Sequence, residues 1–372
     1  MNYPIRVLHV LHSLNCGGAE NMIINLYRNI DKNKIQFDFL VHTNEKCFFD
    51  DEVKELGGNI YRVPYYNLLN EYSYVKSLNE FFKNHREIKI VHGHLGSCAH
   101  IYLKIAKKYG CYVIAHAHIS KPDKITAKNL LYKLFSIKTR GVADFFFACS
   151  IQAGKYHYGK KIINSERFKM LNNAIDINKY GVNAEQCEKI KQRYDITDKY
   201  VMGHIGRFNS VKNHKFLLDV FGEILKIQPN SVLMLVGGGE LFEDIKTYAG
   251  TLGIGDKVIF TGVTQDVNQY LQVMDCFVFP SLFEGLGIVA IEAECLGIPC
   301  FINNTLPSEL YINENVFGLS LNKSAKEWAE FIVRNSNKKI PEQIAKEKIS
   351  NAGYDINATA KQLEEFYYNV IE

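Results

Sequence analysis

The chain has 372 residues, of which 47% are hydrophobic and 23% are charged. This length exceeds the roughly 150 residues of one typical domain, so we expect two domains with apolar cores and exclude a disordered chain. The 44 Lys and Arg residues against 40 Asp and Glu residues give a net charge of only +4. Such a small excess argues against binding of nucleic acids by bulk charge, and we predict no nucleic-acid partner.

Cysteine usage and the N-terminus indicate the compartment. The nine cysteines include no Cys-x-x-Cys pair, which fits neither a disulfide framework nor a structural zinc site and favours a reducing cytoplasm. His9 and His12 interrupt the first apolar run, so we predict no cleaved signal peptide. No stretch reaches the roughly 18 apolar residues of a membrane span, and we expect a soluble or peripheral protein.

Short apolar runs of strand length alternate with amphipathic stretches of helix length, which is the pattern of parallel βαβ units. Their continuous apolar character indicates strands that are buried on both faces. The predicted strands of the first half are residues 6–11, 37–42, 60–63, 90–92, 112–116 and 145–148. Those of the second half are residues 201–205, 231–236, 257–260, 276–280 and 299–302.

Both halves begin with a strand, a polar turn that contains glycine, and a helix, at residues 5–27 and 201–225. This repeated plan predicts an α/β protein with two Rossmann-like domains in tandem. The boundary is expected between residue 172 and about residue 198, a polar stretch rich in Asn, Lys and Gln. The tail carries apolar residues at helical spacing, so it predicts an amphipathic helix that docks on one of the domains.

The most specific segment runs from residue 279 to residue 299. A buried strand ends at Pro280, a loop carries Glu284 and Gly285, and a helix begins near Gly287. The first N–H groups of such a helix form an anion site, and the glycines let a phosphate approach the backbone. Glu284 and Glu292 would then accept hydrogen bonds from a sugar and from a ribose; the alternative is an ordinary solvated loop and helix.

This segment resembles the Glu-x7-Glu motif of family 4 retaining glycosyltransferases, with Glu284 and Glu292 at the two motif positions. Residues 206–213, 237–240, 260–262 and 266–270 are similar to further segments of that family in the family's order. The resemblance implies the GT-B fold, in which two Rossmann-like domains face each other across a cleft. It further implies an acceptor domain at residues 1–175, a donor domain at residues 195–354, and a last helix at 355–372 that packs back on the first domain.

The resemblance also implies roles for individual residues. Arg207 and Lys212 would hold the leaving diphosphate, Glu284 would orient the sugar, and Glu292 would bind the ribose. Taken alone, the two cations would be ordinary solvated side chains of a turn. The other donor-binding positions are glycines and apolar residues of the same loops: Gly17, Gly18, Gly206, Gly238, Val263, Gly285, Leu286, Gly287 and Ile288.

The first Gly-containing turn argues against a dinucleotide site. It reads Asn15-Cys16-Gly17-Gly18 rather than Gly-x-Gly-x-x-Gly, and His42 stands where an acidic residue would follow a second strand. By the resemblance, Gly17 and Gly18 face the donor phosphates; the alternative is a plain tight turn before a helix.

Two His-x-His pairs, His92 with His94 and His116 with His118, each place two imidazoles on one face of a strand. Zinc binding is disfavoured because no Cys-x-x-Cys or His-Glu-x-x-His accompanies them. His116 is predicted to form a hydrogen bond at the reacting centre, and His118 and His94 to bind the acceptor. For His92 and His94, a structural role at the end of the sheet is an equal alternative.

We predict no metal and no other cofactor, since many nucleotide-sugar enzymes hold a divalent ion with an Asp-x-Asp triplet and none occurs here.

Residues 100–170 contain fourteen Lys or Arg against three acidic residues. With an apolar stripe at 125–137, this segment fits contact with an anionic membrane or a lipid-diphosphate acceptor. A helix packed on its own domain is an equal alternative.

The resulting hypothesis is a retaining, metal-independent transferase. It would move a hexose or N-acetylhexosamine from a UDP-sugar to a glycan or lipid-linked acceptor in surface polysaccharide synthesis. The expected location is the cytoplasm, at the inner face of the plasma membrane. The alternatives are a GT-B sugar-nucleotide epimerase and a non-catalytic sugar-nucleotide-binding subunit.

Overall fold

The computed structural model describes residues 4–15, 17–118, 134–135, 137–264 and 266–371. The chain divides into two compact units: residues 1–175 with 353–372, and residues 176–352. The segment 176–194 therefore belongs to the second unit and includes a helix of its own. Among the described residues, no helix combines the length and the apolar character needed to cross a bilayer.

The first unit is built on a parallel sheet of seven strands in the order β3-β2-β1-β4-β5-β6-β7. The strands are β1 Ile5–Leu11, β2 Ile35–Val41, β3 Ile60–Arg62, β4 Ile90–Gly93, β5 Tyr112–Ala117, β6 Phe145–Ala148 and β7 Phe168–Met170. The helices are α1 Gly18–Asn29, α2 Asp50–Glu55, α3 Glu71–Asn84, α4 Ala99–Lys108 and α5 Ile151–Ile163.

The second unit is built on a parallel sheet of six strands in the order β10-β9-β8-β11-β12-β13. The strands are β8 Tyr200–Ile205, β9 Ser231–Val236, β10 Val258–Gly262, β11 Cys276–Phe279, β12 Cys300–Asn303 and β13 Val316–Leu319. The helices are α6 Ala184–Arg193, α7 His214–Ile227, α8 Phe242–Thr251, α9 Val267–Leu271, α10 Ile288–Cys295, α11 Ala325–Asn335 and α12 Glu342–Asn351.

All eleven predicted strands are present, with ends within a few residues of those expected. The central ones are buried on both faces, as their continuous apolar runs predict; every residue of β9 is buried. Two strands were not predicted, β7 and β13, and each lies at an edge of its sheet. An edge strand has a neighbour on one side only and needs no continuous apolar run: β7 is mostly exposed and β13 contains Gly318.

The last helix, α13 Ile356–Asn369, belongs to the first unit. Its apolar stripe, which includes Leu363 and Tyr367, is buried in the core beside β1 and α1. Ile175 and Asp355 form a parallel bridge where the chain leaves and re-enters the unit.

In both sheets the strand order reverses next to the first strand of the unit, between β1 and β4 and between β8 and β11. Loops that leave the carboxyl ends of these strands diverge to opposite faces and leave a crevice, which is where open α/β sheets bind ligands. Many of the candidate site residues lie on these loops, and the others lie on neighbouring strands, on the loops that follow those strands, or on the helices that follow β1 and β11.

Candidate active site

In the second unit, an ion pair joins the loops that follow β8 and β11. The Nζ atom of Lys212 lies 2.6 Å from Oε1 of Glu284, and both side chains are largely buried. The Lys212 ammonium also lies 4.7 Å from the ring centroid of Phe279, at the end of β11. Residues 72 positions apart thus meet at the reversal point of the sheet.

Backbone hydrogen bonds hold this crevice together. The N–H of Leu282 donates to the carbonyl of Val211, at 2.8 Å, so the Glu284 loop is tied to the Lys212 turn. The N–H of Gly206 donates to Val236, and the N–H of Phe208 donates to Gly238. The turns after β8, β9 and β11 therefore form one connected rim.

Glycines allow the close approach of these turns. A Cβ on Gly237 would lie 2.1 Å from the carbonyl oxygen of Gly206, and one on Gly238 would lie 2.9 Å from a methyl of Val263. Val263 itself is 82% exposed, so its side chain is available to a ligand. Gly206 and Gly238, predicted from their motifs, thus lie where neighbouring turns approach each other closely.

Helix α10 begins at the same rim. Gly287 precedes it with φ +80°, a left-handed conformation that favours glycine, and Ile288 is its first residue. A Cβ on Gly285 would meet open space, whereas Leu286 is buried and anchors the loop. The first N–H groups of α10 therefore follow a glycine-lined turn, as an anion site requires.

Glu292 lies farther along α10 and is partly buried. Burial raises the pKa of its carboxyl group, and the hydroxyl of Tyr180 donates a hydrogen bond to it. Arg207 differs from Lys212: its side chain is 71% exposed, and its Nε lies 3.2 Å from a carboxylate oxygen of Glu240. The two predicted phosphate ligands thus have separate carboxylate partners within one unit.

In the first unit, Gly17 is the residue before α1, and its backbone is extended. A Cβ on Gly17 would lie 2.2 Å from a carboxylate oxygen of Glu20, while one on Gly18 would meet nothing within 4 Å. Burial raises the pKa of Glu20. A carboxylate thus lies over the predicted phosphate-facing turn.

His116 is the next-to-last residue of β5 and is 3% exposed. Among the described residues, neither of its ring nitrogens has a hydrogen-bond partner. Its ring stacks on that of His118 with centroids 4.0 Å apart. Burial, together with His118, His92 and His9, lowers the pKa of His116 well below its usual value, so the ring is neutral.

The remaining histidines of the two His-x-His pairs lie around His116. Nδ1 of His94 lies 2.8 Å from Nε2 of His118, and Nε2 of His94 lies 3.0 Å from Nδ1 of His9. His92 is buried, and its Nδ1 lies 2.7 Å from the hydroxyl of Tyr367 on α13. His92 therefore has a structural partner, while His94 and His118 are partly exposed.

Sequence reasoning missed four contributors: His9, Glu240, Tyr180 and Tyr367. His9 had a signal, since the parity of β1 places it beside His92 once the two strands pair. The other three are side-chain partners brought in by the tertiary fold.

Of the proposed membrane stripe, residues 125–133 lie outside the described residues, whereas Leu134 and Ile137 are 50% and 44% exposed.

Family models match both halves of the chain. The model described as Glycosyltransferase Family 4 matches residues 16–179, and the model described as glycosyl transferases group 1 matches residues 186–354.

Curated relatives span the whole chain. The Bacillus subtilis protein EpsF, named as a glycosyltransferase, is 32% identical over 97% of this chain and 96% of its own length. The capsular polysaccharide biosynthesis glycosyltransferase CapH of Staphylococcus aureus is 23% identical over 98% of both chains. An Escherichia coli enzyme, named UDP-Gal:alpha-D-GlcNAc-diphosphoundecaprenol alpha-1,3-galactosyltransferase, is 24% identical over 80% of both.

Among solved structures, Anabaena HepE in complex with UDP and glucose superposes with a TM-score of 0.78 and 18% identity, over 98% of this chain and 99% of that one. This likeness confirms the GT-B class of fold, with its two Rossmann-like units. The fold and the relatives define a glycosyltransferase. The chain belongs to the family 4, group 1 glycosyltransferases.

Proposed function

We propose that this glycosyltransferase moves a hexose or N-acetylhexosamine from a UDP-sugar to a glycan or lipid-diphosphate-linked acceptor. The transfer retains the anomeric configuration and uses no metal at the diphosphate. Its setting is surface polysaccharide synthesis at the cytoplasmic face of the plasma membrane. The observation that carries the proposal is the ion pair of Lys212 and Glu284 at the reversal point of the second sheet, beside the glycine turn that opens α10.

The names of similar proteins support this choice of substrates. HepE was solved with UDP and glucose, the Escherichia coli relative is named for UDP-Gal and a diphosphoundecaprenol acceptor, and CapH is named for capsular polysaccharide biosynthesis.

Binding of the donor breaks the ion pair between Lys212 and Glu284. Lys212 turns from Glu284 to the diphosphate, where it acts as a buried point charge, and the first N–H groups of α10 share the negative charge. Arg207 is exposed and joins from the rim as a bidentate ligand. Glu284 then accepts hydrogen bonds from sugar hydroxyls, and Glu292 accepts one from the ribose.

In the transfer step, the bond between the sugar C1 and the diphosphate oxygen breaks and a bond from C1 to the acceptor oxygen forms on the same face. The acceptor's hydroxyl proton moves to the leaving phosphate oxygen. No side chain is needed as a base, and Lys212 and Arg207 stabilise the charge that develops on the leaving group. Neutral His116 supplies a hydrogen bond to the substrates, and His94 and His118 contact the acceptor.

The test is incubation of the protein with radiolabelled UDP-sugars and a membrane extract. Label in the lipid or polysaccharide fraction supports transfer, and its anomeric configuration, read by NMR, tests retention. An altered free sugar nucleotide with no acceptor product would instead identify an epimerase. Binding of the sugar nucleotide without turnover would identify a non-catalytic subunit.

A further inference from the structure

Five histidines gather on one face of the first sheet, at the carboxyl ends of three adjacent strands: His9, His92, His94, His116 and His118. The strand register pairs His9 on β1 with His92 on β4. Residues 93 and 115 are also paired, and the next position along brings His94 beside His116. Because alternate residues of a strand share a face, every member of this histidine cluster points to the same side.

Ring nitrogens of three members converge. One nitrogen from each of His94, His116 and His118 lies within 4.8 Å of the other two. Three imidazole ligands at the usual Zn–N bond length of about 2.0–2.1 Å have nitrogens roughly 3.3 Å apart in a tetrahedral site. The 2.8 Å separation of the His94 and His118 nitrogens must open by about half an ångström, which their partly exposed rings allow.

Within the cluster, His9 also orients the ring of His94. A metal-bound histidine normally donates its second N–H to a fixed acceptor, which sets its tautomer. Nε2 of His94 faces Nδ1 of buried His9 at 3.0 Å, so donation to His9 leaves the lone pair on Nδ1 of His94, the nitrogen that faces His118. His9 thus occupies the place of an outer-shell partner.

His116 supplies the independent indication of a ligand. It is 3% exposed, and neither ring nitrogen has a hydrogen-bond partner within the part of the chain that the structure describes. A buried polar group without a partner is costly, and a bound ion satisfies it. Nitrogens of His9 and His92 also converge with one of His94. Because His9 and His92 are both only 1% exposed, an ion from solvent does not reach that second group of nitrogens.

We propose that His94, His116 and His118 form a binding site for one divalent transition-metal ion that prefers imidazole ligands, such as Zn²⁺. The diphosphate residues are in the second unit, so this site assigns no metal to the donor. Its three ligands are the residues that the proposed function places at the substrates, so the inference rests on that function, and a bound ion competes with the substrates for these rings. Three imidazoles leave a fourth position for water, and neutral rings are the form that binds metal.

The experiment uses the full chain without a polyhistidine tag, treated with EDTA and dialysed. Titration with Co²⁺ is followed by visible absorption, and titration with Zn²⁺ by calorimetry. We expect one ion per chain and the strong visible bands of tetrahedral Co²⁺. His94→Ala and His118→Ala should each weaken binding by at least about 10-fold, because each removes one of three ligands.

His85→Ala is the matched control, since His85 pairs with Glu87 outside the cluster and should leave binding unchanged. Zn²⁺ should also protect His94 and His118 of the unmodified protein, and not His85, from diethylpyrocarbonate, which keeps the test valid if a variant misfolds. A Co²⁺ spectrum typical of the free aqueous ion, or protection that does not single out His94 and His118, would overturn the proposal. These readouts need no turnover and are independent of the donor assignment.

Discussion

At the scale of single residues, the contact between Lys212 and Glu284 explains how one site can hold two groups of opposite charge at the proposed diphosphate site. Each side chain neutralises the other in a largely buried place, so neither charge is left without a partner. Removal of one partner leaves the other uncompensated. The pair therefore contributes to stability as well as to the proposed donor binding, and the variants below are chosen to separate the two effects.

We expect Lys212→Ala to lower kcat/KM by about 30- to 1,000-fold, because a charge-assisted contact to the leaving diphosphate contributes about 2–4 kcal/mol in the transition state. Lys215→Ala, an exposed cation on α7, is the matched control and should keep full activity. The double variant Lys212→Ala with Glu284→Ala should regain thermal stability but not activity. Turnover of Lys212→Ala equal to that of the control would remove Lys212 from the mechanism.

Glu294, on the same helix as Glu292, is fully buried; one oxygen accepts hydrogen bonds from Asn313, at 2.9 Å from the backbone nitrogen and 3.3 Å from the side-chain amide. Burial raises the pKa of this carboxyl group to about 8. The unfolded chain ionises Glu294 near pH 4.5, whereas the folded chain does so only near pH 8, so stability falls as pH rises between these values and is lowest above the folded pKa.

Glu294→Gln should therefore raise the free energy of unfolding at pH 8, by an amount on the order of a few kcal/mol, and change it much less at pH 5. Urea denaturation at both pH values measures this difference. Glu347 is exposed, so Glu347→Gln is the control and should change the free energy of unfolding equally at both pH values. An equal effect of Glu294→Gln at pH 5 and pH 8 would show that the carboxyl group is ionised throughout.

At the scale of elements, α13 shows how a helix distant in sequence completes a unit. Leu363 is 1% exposed in the core beside α1, and Tyr367 places its hydroxyl against His92. The amphipathic pattern of the tail predicted a helix that docks, but nothing in its spacing indicated a contact with His92.

The edge strands β7 and β13 were not predicted, because an exposed edge strand requires little apolar pattern.

Leu363→Ala should lower the free energy of unfolding of the first unit by about 2–5 kcal/mol, since it opens a cavity where α13 packs. Thermal or urea denaturation measures the loss. Lys361→Ala, exposed on the same helix, should change stability by less than about 0.5 kcal/mol. If the two variants are equally stable, the packing of α13 does not support the first unit.

At the scale of the whole molecule, the near-neutral net charge hides an uneven distribution. Fourteen of the 44 basic residues lie between residues 100 and 170, against three acidic ones, while the donor loops carry only two predicted phosphate ligands. The proposed chemistry relies on those two cations and the N-terminus of α10 rather than on a divalent ion.

Turnover should therefore survive EDTA within about twofold, and added Mg²⁺ or Mn²⁺ should not raise it, because Lys212, Arg207 and α10 already offset the charge of the diphosphate. The measurement is release of UDP from the preferred donor. Activity that is lost in EDTA and restored by Mn²⁺ would overturn the metal-independent mechanism.

The basic segment predicts a second property of the whole chain. We expect co-sedimentation with vesicles that contain anionic lipid, weakening as salt rises from about 0.05 to 0.5 M, because surface charges are screened. Vesicles of neutral lipid are the control. Equal binding to both, or none to either, would favour the alternative of a helix packed on its own domain.

The class of fold, eleven of the strands, the family and most of the candidate residues could be predicted from the amino-acid sequence, because burial periodicity, glycine turns and ordered motifs are local properties of the chain. Which side chains meet became visible only in the folded chain: Lys212 contacts Glu284 across 72 positions, and His92 contacts Tyr367 across 275. The fold also joins His9 to the two His-x-His pairs. Such contacts depend on strand order and register, which are set by the packing of the whole unit and leave no signal at either residue alone.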